Sequence, residues 1–131
     1  MGPVNWIAVI LAANIAVAVG LVWNGPLFRT GRPLLEGEGD GRTKGFGKAV
    51  LVMLIAAVML GHNYARIGAE TLAAKPWLYW MQAGGLAIAF VIPAVWLVSA
   101  RAGASGRSRA IDAGFWLAAY LAMGTTFWAL A

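Results

Sequence analysis

NWIAVILAANIAVAVGLVWNGPLF, residues 5–28, carries no charged side chain and has a tryptophan near each end. About 20 apolar residues rising 1.5 Å each cross the roughly 30 Å hydrocarbon core of a bilayer. Trp6 and Trp23 lie about 25 Å apart along such a helix. That puts one indole at each interface, where an apolar ring with a single polar N–H is most stable. The stretch therefore reads as a transmembrane helix over about residues 4–24. Gly25-Pro26 should stop it, because proline lacks the N–H that a helix needs. Ala12, Ala16 and Gly20 recur every four residues and make one smooth face, the kind that lets helices approach closely in lipid. Asn14 falls near mid-membrane. Its amide is costly against lipid, so it is expected to face protein, in an interhelical hydrogen bond rather than a substrate contact.

The remaining chain repeats this pattern. Of its 131 residues, 61% are hydrophobic and 11% charged, against about 25% charged in a soluble domain. That difference makes the fold class an all-α integral membrane bundle, in one domain over residues 1–131. Zero cysteines exclude disulfides, thiolate metal sites and cysteine nucleophiles. A net charge of +5 is read as topology and headgroup contact rather than nucleic-acid binding. No Lys or Arg precedes the first apolar run, which argues against a cleaved signal peptide.

Three more helices are expected, over about residues 49–68, 77–99 and 110–131, with loops at 25–48 and 100–109. The first loop holds Glu36-Gly37-Glu38-Gly39-Asp40-Gly41, an alternation that suggests calcium. An EF-hand loop needs a bidentate Glu at position 12. Counting from Glu36, that position is Gly47, and Arg42 and Lys44 occupy ligand positions. The segment reads as a solvated turn. In the third helix, Trp77, Tyr79 and Trp80 form an aromatic belt at one end and Trp96 marks the other. Gly84 and Gly85 offer a second close-packing face, and Pro93 should kink the helix. In the last helix Ser108 is the expected N-cap, which would place Asp112 in the first turn, near the positive end of the helix dipole. Gly124 is a further packing position, and Trp128 marks the far interface.

Basic residues give the orientation. The first and third loops carry Arg29, Arg32, Arg42, Lys44, Lys48, Arg101, Arg107 and Arg109, and the second link carries only Arg66 and Lys75. Eight against two puts those loops in the cytoplasm and both termini outside. Arg66 would then snorkel to the outer interface.

Asn5-Trp6, Trp23-Asn24-Gly25-Pro26-Leu27-Phe28, Ile111-Asp112-Ala113-Gly114-Phe115-Trp116-Leu117 and Met123-Gly124 together resemble a family of small bacterial four-helix membrane proteins of unknown function. The usual second motif there is Trp-Tyr-Gly-Pro-Leu-Phe, with Asn24 replacing the Tyr here. The resemblance implies a four-helix architecture in the bacterial inner membrane. It implies no reaction.

Candidate chemistry is sparse. His62 is the one residue expected to titrate near neutral pH. Alone it cannot build a zinc site. It is weighed as a structural histidine hydrogen-bonded to a neighbouring helix or a lipid headgroup, an axial ligand to haem or chlorin, or a proton or substrate group. HExxH, GxSxG and P-loop patterns are missing. The leading expectation is a non-enzymatic membrane protein without a resident cofactor. It would be an accessory subunit of a larger complex, or a homo-oligomer packing through its small-residue faces. The alternatives are an oligomeric transporter with a polar path through Asn14, Gln82 or His62, and a pigment protein using His62.

Overall fold

The computed structural model describes residues 2–30 and 42–131. The acidic glycine-rich segment 36–41, with its calcium reading, lies outside the described residues. Every element among the described residues is helical. Helix α1 spans Trp6–Val22 and runs on through a π-helical turn, Trp23–Leu27. Helix α2 is Arg42–Ile67, α3 is the short Ala69–Ala74, and α4 is Leu78–Leu86. A second π-helical turn, Ala87–Val91, joins α4 to α5, Ile92–Arg101. Helix α6 is Gly106–Ala129. Among the described residues three stretches are long and apolar enough to cross a membrane: Trp6–Leu27, Phe46–Ile67 and Leu78–Arg101.

Helix α6 is as long, at 24 residues, but less apolar. Its position explains this. It packs against α1 on one side and α4 and α5 on the other, and α1 also packs on α2. Residues 111–122 are all buried or half-buried. A helix covered by protein can carry Gly, Thr and Tyr, whereas one facing lipid must be apolar on its exposed side.

Both prolines sit differently from expectation. Gly25-Pro26 does not stop the first helix; Pro26 lies inside the π-helical turn. In a regular helix its ring would clash with the carbonyl four residues back. The wider turn removes that conflict, and the Phe28 N–H donates five residues back to the Trp23 carbonyl at 3.0 Å. The chain leaves the helix only at Arg29, whose φ is 44°. Pro93 is handled the same way: the Ile92 N–H donates to the Ala87 carbonyl five residues back. A widened turn stands just before Pro93, at the place where a kink was expected.

Helix α6 begins earlier than expected. Its N-cap is Ser105, whose Oγ accepts from the Ser108 N–H at 3.2 Å. Ser108 is therefore inside the first turn and Asp112 in the second, so the expected placement of Asp112 at the helix N-terminus is overturned.

The core is built from small side chains. Ala8, Ala12, Ala13 and Ala16 of α1 are buried, and Ala57, Leu60, Ala83, Ala119 and Met123 of the other helices share the same core. Gly20, Gly84 and Gly124 are buried too, while Gly85 is exposed. Ala12, Ala16, Gly20, Gly84 and Gly124 thus pack inside one chain, and Gly85 alone of the expected packing positions is left exposed. A Cβ on Gly124 would lie 2.9 Å from the Tyr79 carbonyl oxygen and 3.0 Å from the Ala83 Cβ, so α4 and α6 touch nearly backbone to backbone there.

Candidate functional site

The motif residues meet at the two ends of the α1–α6 pair. At the end holding both termini, Asn5 caps α1: its Oδ1 accepts from the Ala8 N–H at 3.0 Å. The same amide donates through Nδ2 to the Leu130 carbonyl at 2.9 Å, just beyond α6. Gly2 N–H donates to the Ala65 carbonyl of α2 at 3.0 Å. At the opposite end the Trp23 indole N–H donates to the Ile111 carbonyl at 3.0 Å. A Cβ on Gly114 would lie 2.8 Å from Trp23 Cζ2, so Gly114 is the seat of the indole. Asn24 Nδ2 donates back to the Gly20 carbonyl at 3.1 Å, and its Oδ1 accepts from the Thr30 hydroxyl at 3.2 Å. Asn5, Trp23 and Gly114 therefore staple α1 to α6 at both ends.

A cavity of about 470 Å³ opens at the termini end. Tyr64 and Tyr79 line it with Phe127 and Trp128, and Leu72 and Pro76 complete the wall. The Tyr64 ring lies 4.8 Å from that of Tyr79 and 5.0 Å from that of Phe127. The Tyr64 hydroxyl donates to the Tyr79 carbonyl at 2.7 Å. Sequence reasoning missed this cluster. Gly61 was the available signal, three residues before Tyr64: a Cβ there would lie 2.9 Å from Val9 Cγ2 and 3.4 Å from the Phe127 ring. Of the cavity's polar groups Asn5 and the Tyr64 hydroxyl are already engaged, while Tyr79 and Trp128 bring a phenol and an indole N–H to a lining that is otherwise largely apolar.

A smaller cavity, about 180 Å³, lies at the other end between Asn24, Thr30, Ser108 and Asp112, with Val95, Phe115 and Trp116. Close by, the Arg109 guanidinium stacks 5.1 Å over the Trp96 ring. Its Nε is buried without a hydrogen-bond partner.

The predicted site residues are scattered. His62 is exposed on α2 and lines neither cavity. Among the described residues it makes no hydrogen bond to a neighbouring helix. Among the described residues no three His, Cys, Asp or Glu side chains gather to hold a metal. Gln82 is half-buried on α4. Asn14 is exposed, and its Nδ2 donates to the Ile10 carbonyl of its own helix at 2.8 Å. Among the described residues no bond joins Asn14 to another helix, because Asn14 lies on the side of α1 away from the core. Trp6, Trp77, Trp96 and Trp128 are exposed, as is Arg66. Trp23 and Trp80 are half-buried. The Trp80 indole donates to Thr125 Oγ1 at 2.9 Å.

No curated protein and no solved structure matches the chain. One family profile spans residues 7–128, nearly its full length. The chain belongs to that family, described as a protein of unknown function, DUF1761.

Proposed function

We propose that this protein is a four-span component of the bacterial inner membrane, with both termini periplasmic, that works by helix association rather than catalysis. One observation carries this reading: the large side chains facing away from the core are apolar. Ile7 is 69% exposed, Ile55 58% and Phe90 70%. In water that surface would aggregate; in lipid it is matched. Helix α6 serves as the fourth span, its moderate polarity sheltered by α1, α4 and α5. The basic loops hold the cytoplasmic side. The family motifs act as staples between helices, which suits a structural component better than a reaction site.

The test is extraction and native mass measurement. The protein is expected to resist carbonate extraction and to elute from mild detergent in a defined assembly, either with a stoichiometric membrane partner or with copies of itself. Release by carbonate would overturn the membrane reading. A detergent-soluble single chain without partners would overturn the association reading.

A further inference from the structure

Asn14 raises a question that the single chain leaves open. It lies eight residues after Trp6 and nine before Trp23, about 12–14 Å from each along the helix, and so at mid-depth. Around α1, the buried residues Ala8, Ala12, Ala16 and Gly20 mark the inner face. At 100° per residue, Asn14 falls near the centre of the opposite, exposed face. Among the described residues no other helix bonds to it. One of its two amide N–H groups is bonded to Ile10, which leaves the second N–H and the carbonyl oxygen Oδ1. Hydrocarbon offers neither a donor nor an acceptor, so this geometry is costly without a partner.

The residues around Asn14 supply a surface for one. Ile7, Leu11, Asn14, Ala18, Leu21 and Gly25 follow alternating steps of four and three, and all six are exposed. They fall within an arc of about 80°. This is the seven-residue seam of a left-handed helix pair, with small residues at Ala18 and Gly25 that allow close approach. A single Asn in such a seam is an established device for fixing register and partner number.

We propose that two copies of this chain pair through the α1 seam, with the Asn14 amides hydrogen-bonding to each other across a twofold axis along the membrane normal. A second copy fits because the asparagine amide is its own complement: the free N–H of one satisfies the Oδ1 of the other. Every copy inserted in one orientation presents the same seam at the same depth, and a twofold axis sets residue 14 against residue 14. The proposal rests on the membrane reading above in requiring α1 to lie in the bilayer. It uses the side of α1 opposite the Ala12, Ala16 and Gly20 face, which is already buried.

The chain has no cysteine, so single introduced thiols report cleanly. In native membranes treated with a permeant oxidant, Leu11→Cys and Ala18→Cys are expected to give a disulfide-linked species of twice the chain mass. Met59→Cys and Phe90→Cys, exposed on other parts of the bundle, should not. In the Ala18→Cys background, Asn14→Leu should weaken association by about 3- to 30-fold, and Asn14→Gln should retain much of it. Membrane-inserted protein with no seam cross-link would overturn the pairing while leaving the membrane reading intact. So would equal cross-linking at all four positions, a cross-linked product of any other mass, or undiminished pairing in Asn14→Leu. Failure of insertion would instead strike the membrane reading.

Discussion

Gly124 and Gly85 are both glycines in membrane-length helices, yet their surroundings are opposite. Gly124 sits against backbone atoms of α4 that cannot move aside, whereas the space where a Gly85 Cβ would go is open. Gly124→Ala is expected to cost about 1–3 kcal/mol by overpacking, and Gly85→Ala to be neutral or stabilising by up to about 1 kcal/mol. Thermal unfolding in detergent separates the two: a lower midpoint for Gly124→Ala alone. Equal effects would mean that α4 and α6 are not in close contact. Tyr64→Phe tests the aromatic cluster in the same assay. Removing a buried hydroxyl that donates at 2.7 Å leaves the Tyr79 carbonyl without that partner, at a cost of about 0.5–1.5 kcal/mol.

At the scale of the element, the two serines before α6 make a clean contrast. Ser105 Oγ accepts the N–H of Ser108, so Ser105→Ala should lose about 1 kcal/mol and Ser108→Ala little. The reverse order would restore the cap position suggested by the sequence. Both residues have capping chemistry and lie one turn apart, so local sequence could not choose between them. The prolines teach a related lesson. Composition correctly marks Pro26 and Pro93 as unable to join a regular helix. Whether the chain ends, kinks or widens its turn there depends on what packs alongside, and here each helix continues through a π-helical turn. Asn14 went the same way. Its depth was legible from the flanking tryptophans, but the direction it faces was set by Ala8, Ala12 and Ala16 claiming the inner side. The apolar lengths of α1, α2 and the α4–α5 stretch were legible because lipid demands them. The termini-end cavity was not, since residues far apart in sequence build its aromatic wall.

For the molecule as a whole, α6 decides how many times the chain crosses the membrane. It is the least apolar long helix and the one most enclosed by the others. If it spans the membrane, the chain crosses four times and its ends share one side; if it does not, three crossings put the ends on opposite sides. The enclosure of α6 favours four; the basic loops bear only on which way the chain faces. The most direct measurement is a pair of reporter fusions, one after Ala104 in the turn before α6 and one after Ala131, using an enzyme active only in the periplasm and another active only in the cytoplasm. The account predicts cytoplasmic activity at Ala104 and periplasmic activity at Ala131. Cytoplasmic activity at both positions would contradict it, showing that α6 does not cross.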